Sequence, residues 1–185
     1  MLIGSVSEEG NRMSSRPTEL EWHDNLAGVI SDAKASALIA AMKKAHPEKS
    51  IRTLSFGVSG MLVRNRVTSM ATMKFKQKAA PVFAYYFTWQ SPMLEDAGAW
   101  HTAELAFCFD NAKRCEQGTG NTPEAQKLAR KMATAWATFA RTGNPSHSGL
   151  KWTSFNPDQC PTMVFDNQCR MMNDPEGEVR KILSS

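Results

Sequence analysis

The chain has 185 residues, 42% of them apolar and 22% charged, with a formal net charge of +4. That length carries a sizeable core, and that balance is normal for a soluble globular protein, so disorder is not the default expectation. The densest basic run, Lys74, Lys76 and Lys78, alternates with Phe75 and Gln77, so a solvated face is expected and not a nucleic-acid stripe.

Leu2–Val6 is a short apolar run halted by Ser7-Glu8-Glu9-Gly10, which predicts a strand feeding a polar loop. The strand opens directly after Met1 without lead-in, as expected of one portion of a larger fold. Residues 14–30 mix polar and apolar types around Pro17 and are expected to be mostly irregular. Ser31 or Asp32 offers an N-cap to a helix reaching about Ala45, where Pro47 stops it. Its apolar residues Ala37, Leu38, Ala41, Met42 and Ala45 recur at helical spacing.

Met61, Leu62, Val63, Val67, Met70, Met73 and Phe75 predict a longer helix over 61–78. Its methionine stripe reads as core packing rather than as a cofactor site. Residues 81–89, Pro-Val-Phe-Ala-Tyr-Tyr-Phe-Thr-Trp, form the strongest strand signal. Near-continuous apolarity there predicts burial on both faces, as in a parallel sheet covered by helices. Thr122-Pro123 opens the clearest helix, which keeps Leu128, Met132, Trp136, Phe139 and Ala140 on one face until Gly143. Thr162–Phe165 is a last short strand. The order strand, helices, strand, helix, strand defines an α/β class.

No stretch reaches the roughly 18 apolar residues of a membrane-spanning helix. No secretory leader is legible; one would lie upstream of Met1, which leaves the compartment open. Cys108, Cys115, Cys160 and Cys169 allow three pairings, and neither C-x-x-C nor H-E-x-x-H occurs. Neither a metal nor another cofactor is therefore expected.

Two segments carry chemistry. Ser7-Glu8-Glu9-Gly10-Asn11 puts a carboxylate on the loop after the first strand, and Gly98-Ala99-Trp100-His101-Thr102-Ala103-Glu104-Leu105 puts a histidine on the loop after the strongest one. Functional groups of open α/β sheets gather beyond the carboxyl ends of strands. A carboxylate and a histidine there suit an acyl-transfer triad, the acid orienting the imidazole that moves the nucleophile's proton. Each also has an ordinary reading: Glu-Glu-Gly as a solvated turn, and a histidine beside Trp100 as a packing residue.

Leu2-Ile3-Gly4-Ser5-Val6-Ser7-Glu8-Glu9-Gly10 resembles the acid-bearing segment of the type-B carboxylesterase and cholinesterase family. Residues 98–105 resemble its histidine loop, 80–87 the preceding strand, Phe139–Pro145 with Trp152 its C-terminal helix exit, and 162–166 its last strand. The resemblance covers nearly all of residues 1–185 and is weakest over 13–60. It implies the C-terminal portion of an α/β-hydrolase fold, a mostly parallel sheet flanked by helices, acting on small carboxylic esters. It implies Glu9 as triad acid, His101 as general base and Glu104 as a glutamate buttressing the site; Trp100 lines a pocket or simply packs. The serine elbow, G-x-S-x-G, belongs upstream of the acid in such folds. It is absent here, so the missing N-terminal part is the expected partner and the chain alone is expected to be inactive. Phe56-Gly57-Val58-Ser59-Gly60 has the wrong spacing and the wrong place, and Ser59 is expected to be a loop residue. A catalytically dead remnant or binding module is the competing reading. A Cys108–His101 hydrolase is weaker still, since Cys108 between Phe107 and Phe109 suits a buried thiol.

Overall fold

Every second residue of a strand faces the same way, so a strand that is apolar throughout must be covered on both sides. The computed structural model, which describes residues 1–10 and 16–184, shows this arrangement around β2, Phe83–Phe87. Phe83, Tyr85 and Phe87 face one helical layer, while Ala84 and Tyr86 face the opposite side. β1, Leu2–Val6, and β3, Pro161–Phe165, flank β2 in parallel, and β4, Arg170–Asn173, closes the order β1-β2-β3-β4 antiparallel. Gly4 stands opposite Tyr85 in this register. A Cβ there would come within 2.3 Å of the Tyr85 ring, so only glycine lets the ring lie across β1.

One covering layer holds α4, Leu105–Cys108, α5, Glu116–Thr119, and α6, Pro123–Thr142. Leu128 and Met132 of α6 pack with Phe83, Phe87, Phe107, Trp152 and Phe165. Thr122 caps α6 by accepting from the Ala125 N–H at 3.1 Å, and Gly143, at φ 75°, ends it in the left-handed region, as its sequence predicts.

The other layer holds α1, Glu19–Ala27, α2, Asp32–Ala45, α3, Ile51–Lys76, and α7, Gly177–Ser184. Trp22, Leu38, Met42, Leu54, Val58, Met61 and Val179 gather there on Tyr86. Arg64 is 2% exposed within this layer. It stacks 4.7 Å from the Tyr86 ring centroid and donates from Nε to the Pro175 carbonyl at 3.1 Å.

Four features of this layer differ from what the sequence predicts. Part of the stretch expected to be irregular forms α1, nucleated by a capping box between Thr18 and Glu21; residues 11–15 lie outside the described residues. The helix expected over 61–78 begins ten residues earlier, capped by Ser50. Ser59 therefore sits inside α3 and not in a loop. Met61 is buried as expected, but Met70 and Met73 face outward at 50% and 60% exposure.

Glycine makes room where α3 meets the turn after β1. A Cβ on Gly60 would lie 1.9 Å from the Ser7 carbonyl oxygen, and one on Gly10 would lie 2.3 Å from Ser59 Oγ. The helix carries glycine where the turn after β1 rests directly on it.

Candidate active site

The chain bends at Ser7 after leaving the sheet but stays bonded to its neighbours. The Ser7 N–H donates to the Phe87 carbonyl at 3.0 Å, the Glu8 N–H donates to the Ala99 carbonyl at 3.1 Å, and Glu8 pairs with Trp100 in a parallel bridge. This short extension brings the two loops named above side by side. Glu8 sits in the bridge and Glu9 in the turn that follows, and the consecutive carboxylates diverge. Glu8 turns into the protein and is 1% exposed. Glu9 turns to the histidine.

His101 Nδ1 lies 2.6 Å from Glu9 Oε2, while Glu9 Oε1 accepts from the Val6 N–H at 3.4 Å. With a carboxylate at Nδ1 the ring donates from that nitrogen and keeps Nε2 as a proton acceptor. The Glu9 side chain is 15% exposed and the His101 side chain 73%. The Glu9 hydrogen bond, and then its charge, raise the His101 pKa above the ordinary histidine value.

The histidine loop is fastened at several points. Arg52 Nη1 of α3 donates to the Glu95 and Asp96 carbonyls at 3.2 Å each, and Thr53 Oγ1 donates to the Asp96 carbonyl at 3.2 Å. Gly98, at φ 61°, makes the turn, and Thr102 adopts φ 73° just after the histidine. The Ala103 N–H then donates to the Trp100 carbonyl at 2.9 Å, leading into α4.

Trp100 has two kinds of surroundings. It packs on the α6-side core, and with Thr102, Ala103 and Leu105 it lines a surface depression of about 430 Å³. Glu104 stands at the start of α4, half-buried, and its Oε2 has no hydrogen-bond partner among the described residues. Burial raises its pKa, and the nearby Glu9 charge adds to the effect. Its influence on the pair is thus electrostatic, without a hydrogen bond to His101.

Cys108 is buried, and burial, with the Glu104 charge beside it, pushes its pKa up to about 12. A thiol so disposed is not a thiolate nucleophile at neutral pH. Ser59 Oγ lies against Gly10. Among the described residues no serine, threonine or cysteine side chain hydrogen-bonds His101. All four cysteines are free, so none of the three pairings is present. Among the described residues no group of three or more histidine, cysteine or acidic side chains is placed to hold a metal ion.

Glu8 and Lys49 escaped the sequence reading. Lys49 Nζ, in the α2–α3 connection, donates to Glu8 Oε1 at 2.8 Å. The only sequence signal was Glu8's place beside Glu9.

A mostly parallel sheet covered by helices on both faces, with a carboxylate and a histidine paired across two strand-end loops, defines the α/β-hydrolase class of fold. The family model described as the carboxylesterase family matches residues 6–181, and the chain belongs to that family. The para-nitrobenzyl esterase of Bacillus subtilis (strain 168) is 26% identical over 185 residues, 99% of this chain but 37% of that protein. Human carboxylesterase 5A is 36% identical over 100 residues, covering 49% of this chain and 17% of that protein. A solved PNB esterase structure matches with a TM-score of 0.70 at 26% identity, over 98% of this chain and 37% of that one. The chain therefore spans little more than a third of the length of these bacterial relatives.

Proposed function

We propose that the chain is the C-terminal portion of a serine carboxylesterase and supplies its triad acid, Glu9, and its general base, His101. The observation that carries this reading is the 2.6 Å contact between His101 Nδ1 and Glu9 Oε2, made across 92 residues of sequence. The names of the relatives point to small carboxylic esters as substrates.

In this scheme His101 Nε2 takes the hydroxyl proton of a serine supplied by the N-terminal part. The serine oxygen attacks the ester carbonyl, and His101 returns the proton to the departing alkoxide. Water, deprotonated by the same nitrogen, then cleaves the acyl-enzyme and releases the acid. Glu9 fixes the tautomer and stabilises the imidazolium at each proton transfer. Trp100, on the same loop, borders the ester's approach. Acid–base and nucleophilic steps of this kind require no cofactor. The sequence from 1 to 185 contains no G-x-S-x-G, so this portion alone has neither the attacking oxygen nor the oxyanion donors of the elbow.

The test compares nitrophenyl ester hydrolysis by the 185-residue chain with hydrolysis by the same chain fused after the N-terminal portion of the Bacillus subtilis para-nitrobenzyl esterase. The expected result is an inert chain and a fusion with a burst of nitrophenol. A burst from the chain alone would place the nucleophile within it and overturn this reading.

A further inference from the structure

We propose that Glu8 is a positioning residue for His101: its buried carboxylate, paired with Lys49, clamps the Gly98–Trp100 turn so that the imidazole meets Glu9. This rests on the reading of Glu9 and His101 as acid and base, and it assigns the neighbouring acid a task of its own.

The contacts are one-sided and close. Glu8 Oε2 accepts the Ala99 N–H at 2.6 Å and the Ser7 hydroxyl, while Oε1 accepts Lys49 Nζ at 2.8 Å. The Glu8 N–H in turn donates to the Ala99 carbonyl at 3.1 Å. Both polar backbone groups of Ala99, two residues before the histidine, thus end on Glu8. The turn is cut to fit the carboxylate: a Cβ on Gly98 would lie 2.5 Å from Glu8 Cδ. Gly98 also takes a positive φ of 61°, which side chains disfavour.

A carboxylate is an expensive way to fill space. Buried charge is tolerated when it is paired and when its lone pairs are used. Here Lys49, 15% exposed against 1% for Glu8, supplies the counter-charge. An apolar residue would pack as well and would leave the Ala99 N–H unsatisfied. What the charge adds is a strong, directional acceptor for the backbone that carries the base. Glu8 and Glu9 then act on one loop from one strand end, the first on its backbone and the second on its imidazole.

The experiment follows the His101 ring by NMR titration of the histidine-labelled fusion with the N-terminal esterase portion, together with hydrogen exchange at the Ala99 amide. Glu9 raises the His101 pKa in the native chain, with Glu104 contributing. In Glu8→Gln the His101 pKa is expected to fall toward ~6.5. Ala99 exchange is expected to accelerate at least about tenfold while unfolding remains cooperative. A folded Glu8→Gln fusion with both readouts unchanged overturns the proposal. Should that variant not fold, Ser7→Ala removes one hydrogen bond from the carboxylate and is expected to move both readouts in the same direction by less; no movement overturns the proposal equally. Glu9→Gln separates the two ideas. It is expected to lower the His101 pKa while leaving Ala99 protected, and an unmoved titration there defeats the acid–base reading rather than the clamp.

Discussion

An imidazole needs two things to serve as a base: the right nitrogen left open, and a proton affinity suited to the working pH. Glu9 supplies both, by accepting from Nδ1 and by raising the His101 pKa. For His101 as the proposed base the neutral ring is the working form, so the acid limb of the fusion's kcat/KM profile should lie above the ordinary histidine value. Glu9→Gln should move that limb to lower pH and cut kcat by roughly 10³–10⁴; a limb that stays put contradicts the role of Glu9. The meeting of Glu9 with His101 was legible because two motifs in a fixed order resemble one family. Glu8 was not, because two adjacent glutamates before a glycine do not say which one turns inward. That is settled by Ala99 and Lys49, partners distant in the sequence.

At the level of elements, α3 is the platform for the acid turn. Alanine at position 60 gains about 1 kcal/mol in helix propensity, but its Cβ would meet the Ser7 carbonyl at 1.9 Å. Such overpacking costs typically 1–3 kcal/mol, and backbone-to-backbone contact puts this case at the upper end. Gly60→Ala is therefore expected to lower the unfolding midpoint and loosen Glu9, measured by denaturant titration. A second junction ties the end of α2 to the turn before α7. His46 Nε2 lies 3.0 Å from Glu176 Oε1, and Glu176 also accepts from the Tyr86 hydroxyl at 3.4 Å.

The Glu176 hydrogen bond raises the His46 pKa against the effect of burial. Burial alone would raise that of Glu176, but the His46 bond and the charges of His46, Lys49 and Arg64 hold it below the ordinary value. The His46 contribution to stability is complete below about 6.5 and fades as pH rises through its folded pKa; the Glu176 contribution is complete above about 4.3 and fades as pH falls through its own. Stability from this pair peaks between those values. Glu176→Gln should remove the peak and cost about 1–2 kcal/mol there. Unfolding curves across pH check it.

β1, β2, β3 and α6 were legible from apolar runs and caps. The start of α3 was not, since Gly57, Ser59 and Gly60 look like a loop unless the turn packed on them is known. The β4 segment, largely exposed on the sheet edge, has too little apolar pattern to announce itself.

For the whole molecule the decisive feature is what the sheet leaves uncovered. β1 has β2 on one side and no strand on the other among the described residues. Leu62, Met70, Met73 and Phe75 line the outer side of α3 at 41–60% exposure. An open strand edge beside exposed apolar residues invites association. Sedimentation of the isolated chain is expected to show oligomers or aggregates, and a stable dispersed monomer contradicts this. The measurement closest to the central claim is burst-phase hydrolysis of a nitrophenyl ester by the fusion, native against His101→Ala. The expected result is a loss of roughly 10⁴–10⁶ in kcat, with the fold retained. A His101→Ala fusion within about tenfold of native activity would contradict it.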